Sequence, residues 1–389
     1  MKIALVEFQY HEVILRTFSN LFSEIDYVDV VNIITSGVAE RVLNENVLQN
    51  VVIISKDYKV PSKRKPIKYL KSKIHLKNLM NKVRFVIEKE KPNIVIFNTV
   101  SSNLVAKNIY NKFRNNHKQY FAFVVSNIDF FYKNEKKNYF KKLVEIGFYT
   151  IFATKFESDF AKKSIKEIKK SHVLPIKTVS KRGLELSKKI LSNVNRNENE
   201  LIISIPGEVT TYRRDYIELL NCINKLINEG EKIKIYLLGR MLDDKVEKWL
   251  NKNPSVFSIT TIFNSFIPEK TYEDILFSSH FVLSPIPFNS KYGIFKMTGA
   301  VEDAICAGIP MIIPNFYFEL IKEDIKGSSI VYSDNSRNIY FALKKAIDGL
   351  KNGEYVKLKK NALKNQKIRL EKSILLSKEF ISLFKREEV

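Results

Sequence analysis

Short apolar runs alternate with segments of helical periodicity through the first half of the chain. The runs Ile3–Val6, Val28–Ile34, Val51–Ser55, Ile94–Asn98, Phe121–Ser126 and Thr150–Ala153 predict strands. Between them, Val13–Phe22, Lys68–Glu88, Asn103–Phe113, Tyr139–Ile146 and Phe156–Lys169 repeat apolar residues at helical spacing. Unbroken runs such as Ile94-Val95-Ile96-Phe97 fit strands buried on both faces, as in a parallel sheet. Strand and helix in strict alternation then predict a doubly wound α/β layer.

The pattern breaks over 181–200, which turns polar and ends in Asn193-Val194-Asn195-Arg196-Asn197-Glu198-Asn199-Glu200, as a linker does. A second α/β cycle follows: strand Leu201–Ile205, helix Arg214–Asn228, strand Ile233–Leu238 and helix Lys245–Leu250. It continues with helix Tyr272–Ser278, strand Phe281–Ser284, a helix near Ala300–Cys306, strand Met311–Ile313 and helix Asn338–Leu350. The expected frame is a first domain over 1–180, a second over 201–356, and a basic C-terminal helix over about 357–389 that packs back towards the first. With 389 residues, two domains of ordinary size are expected.

Composition narrows the classes. A hydrophobic fraction of 45% supports sizeable cores, which excludes wholesale disorder. No stretch reaches the roughly 18 uncharged apolar residues of a spanning helix. Met1-Lys2-Ile3-Ala4-Leu5 enters a strand pattern without the architecture of a secretory signal. The only cysteines, Cys222 and Cys306, make neither a disulfide framework nor a zinc site, so a reducing cytoplasm is expected. The net charge of +23 is unevenly placed, because residues 1–200 hold 37 Lys and Arg against 19 Asp and Glu. Thirteen bases fall between Lys56 and Lys91, including Lys63, Arg64, Lys65 and Lys68. Such a surface suits anionic partners: nucleic acid, a phosphorylated acceptor or the headgroups of a membrane's inner face.

Two stretches of the second half have the makings of a binding site. In Ser204-Ile205-Pro206-Gly207-Glu208-Val209-Thr210-Thr211-Tyr212-Arg213-Arg214-Asp215-Tyr216, a strand ends, Pro206 and Gly207 make a tight turn, and two arginines arrive where a helix should start. The carboxyl edge of an open α/β sheet is where ligands bind, and Arg213 and Arg214 suit a diphosphate there. The second stretch runs from Lys291 to Pro314. Thr298 is a good N-cap, Gly299 permits close backbone approach, and Lys296 reinforces the anion site of the helix start. Glu302 and Asp303, one turn in, could reach ribose hydroxyls. In the first half, His11 and Glu12 follow the first strand and Asp129 follows the strand Phe121–Ser126. All three are candidates for orienting or deprotonating an acceptor hydroxyl.

The stretch Asp303-Ala304-Ile305-Cys306-Ala307-Gly308-Ile309-Pro310-Met311-Ile312 resembles the Glu-Ala-x-x-x-Gly-x-Pro-Val-Ile segment of group-1, glycogen-synthase-like glycosyltransferases of the GT-B fold. The Pro206-Gly207 turn with its arginines and Leu237-Leu238-Gly239-Arg240 are similar to two further landmarks, in the same order. The resemblance covers about residues 200–315. It implies two Rossmann-like domains facing each other across a cleft, a retaining transferase, and a nucleoside-diphosphate sugar of UDP or GDP type as substrate, with no cofactor. The donor would sit in the second domain, on Gly207, Arg213 or Arg214, Lys296, Thr298, Gly299 and Asp303. The acceptor, a glycan or a lipid-linked or membrane-proximal one, would sit on the first. The family often carries a second glutamate eight positions before the ribose carboxylate, where this chain has Phe295.

No Asp-x-Asp motif occurs, so no metal is expected, and Gly-x-Gly-x-x-Gly and Walker loops are absent. Two other classes stay open: a basic nucleic-acid-binding protein, and an inactive transferase-like partner subunit. Against the first, the bases are mainly lysine and no known nucleic-acid motif is present.

Overall fold

A computed structural model of the chain describes residues 1–8, 12–35, 48, 50–54, 66–98, 100–125, 127–132, 138–179, 183–187, 200–288, 298–333 and 335–385. The chain divides into two compact units. One comprises Met1–Lys177 with Lys372–Val389, the other Thr178–Glu371.

In the first unit the strands are β1 (Lys2–Glu7), β2 (Asp29–Ile34), β3 (Val51–Ile53), β4 (Ile94–Phe97), β5 (Tyr120–Val124), β6 (Tyr149–Phe152) and β7 (Ser171–Val173). The helices are α1 (Glu12–Ser23), α2 (Pro66–Glu90), α3 (Asn103–Phe113), α4 (Asp129–Tyr132), α5 (Tyr139–Glu145) and α6 (Lys155–Ser164). The sheet order is β3-β2-β1-β4-β5-β6-β7, with every pair parallel. Strand alternation sorts side chains onto two cores. Val95 and Phe97 join α2 and α3 on one face. Ile94 and Ile96 join α1 on the other, together with Phe380, Ile381 and Phe384 from the far end of the chain.

The second unit has β8 (Leu201–Pro206), α7 (Tyr216–Asn228), β9 (Ile233–Arg240), α8 (Asp244–Lys252), α9 (Pro254–Ser258), β10 (Thr260–Phe263) and α10 (Glu269–Ser278). It continues through β11 (Phe281–Leu283), α11 (Gly299–Ala307), β12 (Met311–Pro314), α12 (Asn315–Ile321), β13 (Ser329–Tyr332), α13 (Ile339–Asn352) and α14 (Glu354–Lys385). Its sheet, again parallel, runs β10-β9-β8-β11-β12-β13. The strand order reverses between β1 and β4 in the first unit and between β8 and β11 in the second. Those are the crevices where open α/β sheets take ligands.

Three strands, β7, β10 and β13, go beyond the sequence reading. Each is short and lies at a sheet edge, where half-exposed residues blur the apolar signal. The helix expected over Phe156–Lys169 ends at Ser164, because Ile165 turns to extended backbone and the chain must return to feed β7. The C-terminal helix was expected to pack on the first domain from about 357, yet its residues through Glu371 belong to the second unit. Of the expected linker, residues 183–187 are helical, and Ser187 is buried against Gln366 of α14. No helix among the described residues is long and apolar enough to cross a membrane.

On α14, Lys359 is fully buried and its Nζ has no hydrogen-bond partner among the described residues. Burial pushes its amine down to about 7, and the same burial, with Lys359 close by, pushes His280 down to about 4. The unfolded chain keeps a proton on this lysine up to its ordinary value near 10.5, whereas the folded chain releases it near 7. The unfolded state therefore binds more protons between those values, and this residue makes stability rise with pH across that window. Lys359→Met should raise the melting temperature at pH 7 by about 3–8 °C and flatten its rise towards pH 10. An unchanged melting profile over that range would show that the amine is not buried uncharged.

Candidate functional site

The pocket at the β8/β11 crevice is built from loops with little freedom. Gly207 N–H donates to the Leu238 carbonyl at 2.9 Å and Val209 N–H to that of Arg240 at 3.1 Å, so the loop after β8 is zipped along β9. The approach is so close that a Cβ on Gly239 would collide with the Gly207 carbonyl, which gives the Leu237-Leu238-Gly239-Arg240 landmark its physical meaning. Gly207 itself has φ 101°, a left-handed conformation that only glycine adopts without strain. Further along, the Thr211 amide donates to Asp243 Oδ2 at 2.7 Å, and the Thr211 hydroxyl bonds the same oxygen. That hydroxyl is the main cause holding the Asp243 carboxyl below its usual range.

Both arginines end up on this pocket. Arg213 pairs with Glu208 at 3.0 Å and packs over the Tyr212 ring. Arg214 is nearly buried, lies beneath Gly207 and donates to the Tyr216 hydroxyl at 3.2 Å. Across the pocket, Thr298 caps α11 by accepting from the Ala300 amide at 3.4 Å, while its own amide donates to the Tyr317 hydroxyl at 3.0 Å. Among the described residues nothing stands within 4 Å of where a Cβ on Gly299 would be, and Gly299 lines the pocket. Asp303 accepts from the Tyr272 hydroxyl at 2.6 Å. Burial, and then the Asp303 charge, push that phenol well above its usual range, so it stays a donor.

The resulting cavity is about 260 Å³, with Gly207, Arg213, Arg214, Thr298, Gly299 and Asp303 among its lining residues. The pocket lining thus combines two guanidiniums, the amide end of a nine-residue helix and a carboxylate fixed by Tyr272. Cations beside a helix N-terminus hold a diphosphate, and an oriented carboxylate accepts from vicinal hydroxyls.

Glu302 requires a correction. It was expected to reach the ligand, but it is 1% exposed and takes two hydrogen bonds from Arg369 Nη2 of α14, at 2.7 and 2.6 Å. One helical step of about 100° separates it from Asp303 and turns it inward. Burial pushes the Glu302 carboxyl upward, and the Arg369 guanidinium pulls the other way. Tyr272 and Arg369 were not found by sequence reading, since each reaches the site from an element with no motif of its own.

In the first unit, Glu12 opens α1 and is 9% exposed, and Asp129 opens α4 with its amide donating to Asn127 Oδ1 at 2.9 Å. Both follow strands at the carboxyl edge of that sheet. His11, Lys296, Phe295, Lys63, Arg64 and Lys65 lie outside the described residues, and Lys68 falls in α2 with its side chain likewise outside.

Two glycine substitutions separate fold from ligand. Gly239→Ala should abolish folding of the second unit, read as loss of a cooperative melt. Gly299→Val should melt like the parent yet bind nucleoside diphosphate at least about tenfold more weakly, because its side chain fills the pocket. Parental affinity in Gly299→Val would mean that the ligand binds elsewhere.

No protein-family model and no curated protein matches the chain in sequence. Solved structures match it along nearly its whole length. A glycosyltransferase from Rickettsia africae aligns at 13% identity, covering 99% of this chain and 98% of its own, with a TM-score of 0.64. Anabaena HepE in complex with UDP aligns at 10% identity, covering 99% and 100%, with a TM-score of 0.66. The UDP-GlcNAc 2-epimerase from Neisseria meningitidis bound to UDP-GlcNAc aligns at 13% identity over 99% and 100%, with a TM-score of 0.59.

Proposed function

We propose that this chain, whose two Rossmann-like units make the GT-B fold, is a retaining glycosyltransferase that uses a nucleoside-diphosphate sugar without a metal ion. The observation that supports it most is the second-unit pocket, where Arg213, Arg214, the α11 N-terminus and Asp303 line one cavity of about 260 Å³. In transfer, the bond between the sugar C1 and the diphosphate oxygen breaks, and the electron pair leaves with the diphosphate. The acceptor oxygen bonds to C1 on the same face, and its proton passes to the departing oxygen or to a nearby base. The two guanidiniums and the helix amides stabilise the charge that grows on the diphosphate, which is the largest catalytic contribution such a site can make. Asp303, held by Tyr272, takes the ribose hydroxyls. His11, Glu12 and Asp129 are the candidates for handling the acceptor hydroxyl.

The epimerases of this fold also bind a nucleotide sugar, so binding alone does not define the reaction. The Asp303-Ala304 to Pro310 segment and the resemblance it carries favour transfer. Calorimetric titration with UDP, GDP and ADP should give saturable binding to one of them. Arg213→Ala and Arg214→Ala should each weaken it by about 1.5–3 kcal/mol. Incubation with the matching nucleotide sugar should release nucleoside diphosphate. Production of the C2 epimer with no nucleotide release would overturn the transfer reading, and parental affinity in both variants would overturn the site.

The acceptor is proposed to be presented at an anionic membrane surface. On α2, Leu76, Leu79, Met80, Val83 and Ile87 face the core, yet Ile74 is 57% and Phe85 66% exposed. They stand eleven residues apart, about three turns, and so share one outer stripe. Lys77, Lys82 and Lys89 flank that stripe, all exposed, while Arg84 is paired with Glu88 at 2.7 Å. Bases around a few exposed apolar side chains suit an anionic leaflet, each base near the surface adding about 1 kcal/mol. Vesicles containing phosphatidylglycerol should sediment the protein at low salt and release it at high salt. Ile74→Ser with Phe85→Ser should reduce the bound fraction at both. Failure to sediment at low salt would refute membrane docking.

A further inference from the structure

The outer side of α3 carries Lys107, Tyr110 and Arg114, spaced three and four residues apart so that each neighbours the next. Beside them α5 presents Tyr139 and Lys142, also three apart. The two helices pack against each other, and their starts are tied where the Asn103 side chain accepts from the Tyr139 amide at 2.7 Å. The five residues meet as one cluster. The Tyr110 and Tyr139 rings lie edge to face with centroids 5.7 Å apart, and both rest half-buried on the core beneath. Lys142 stands 5.5 Å from the Tyr110 centroid and 5.3 Å from that of Tyr139. Arg114 is 5.7 Å from the first ring and Lys107 5.7 Å from the second.

What the cluster lacks is a carboxylate. Elsewhere in this unit Lys2, Arg84 and Lys141 pair with glutamates at 2.6, 2.7 and 3.0 Å. Among the described residues Lys107, Arg114 and Lys142 have no such partner, and neither phenol oxygen has a hydrogen-bond partner. A ring face offsets part of a cation's charge. Three cations around one pair of rings nevertheless repel one another. An arriving anion relieves that repulsion and meets two O–H donors already held in place by the packing of their rings.

The position of the cluster says where that anion comes from. α3 packs against both α2 and α5, and all three helices put their apolar sides into the same core. The cluster therefore belongs to the same outer layer as Ile74 and Phe85 of α2. Ile146, four residues past Lys142, adds a further apolar side chain at 37% exposure. We infer that the α3–α5 cluster is a headgroup site for an anionic lipid that ends in a phosphate monoester. Such a phosphate carries a charge of about −1.5 to −2 near neutral pH and presents three acceptor oxygens. Three cations and two phenol donors match it better than they match the single charge of a phosphodiester. This assignment deepens the membrane-docking proposal and rests on it.

The test titrates the full chain with phosphatidylcholine vesicles carrying either phosphatidic acid or phosphatidylglycerol, matched in surface charge. Half-saturation on phosphatidic acid should need at least about tenfold less lipid. Tyr110→Phe with Tyr139→Phe keeps the rings and the charge. That pair should lose most of the preference, melt like the parent and bind phosphatidylglycerol vesicles as the parent does. Lys107→Gln with Arg114→Gln and Lys142→Gln should lose the preference entirely. An equal loss of charge from exposed lysines of the second unit, Lys248→Gln with Lys252→Gln and Lys345→Gln, should leave it intact. Equal binding to the two lipids, or a preference that survives both the tyrosine pair and the cation triple, overturns the inference and leaves membrane docking standing. No binding to either vesicle overturns both. Glycerol 3-phosphate binding as tightly as the vesicles, and lost in the tyrosine pair, would make this a site for soluble phosphate esters and overturn the lipid assignment. So would a thymidine oligonucleotide whose binding falls in the tyrosine pair while that of phosphatidic acid holds.

Discussion

The ion pair between Glu302 and Arg369 is the interaction on which the second unit's pocket depends. Glu302 belongs to the first turn of α11, whose amide end forms one wall of the cavity, and Arg369 comes from α14, 67 residues later. A buried carboxylate is tolerable only with a partner of good geometry, and here both oxygens are met by one guanidinium nitrogen. The far end of α11 is held as firmly, because Gln366 donates to the Cys306 carbonyl at 2.7 Å. Gly308, in the left-handed region, closes the helix where Leu363 and Gln366 leave no room for a Cβ. With both termini gripped by α14, Thr298, Gly299 and Asp303 keep a fixed position without a ligand, so the charge they present to the pocket is preorganised.

This arrangement gives a physical account of the segment that made the chain resemble a glycosyltransferase family. Its glycine and proline shape the exit of α11 and the entry of β12, and only Asp303 within it faces the pocket. The recognisable letters are therefore mostly structural. They mark the place where a helix must end sharply beneath another helix, and the chemistry is attached to that frame.

Much of the architecture was legible because parallel strands buried on both faces leave unbroken apolar runs, such as Ile94–Phe97. The edge strands β7, β10 and β13 were not, since Ser171–Val173 and Thr260–Phe263 mix polar and apolar residues in pieces too short to establish a period. At the site, Gly207, Arg213, Arg214, Thr298, Gly299 and Asp303 could be proposed from turn chemistry, capping and position at a strand's carboxyl end. Glu302 was misplaced because spacing alone does not say which side of a helix its partner occupies. Tyr272 and Arg369 are invisible to motif reading. Their importance comes from what stands opposite them in space.

The path of α14 has a consequence for how the molecule is made. Residues Glu354–Glu371 complete the second unit, and Lys372–Lys385 bring Phe380, Ile381 and Phe384 to the core of the first. A ribosome delivers these segments only after every strand of both sheets has been synthesised. Until then Glu302 is a carboxylate without its cation, and the core between α1 and the first sheet lacks Phe380, Ile381 and Phe384, the first of which stacks on Phe22. Neither unit can close in the order in which its strands emerge. The nascent chain must wait, partly open, for a single helix that finishes both.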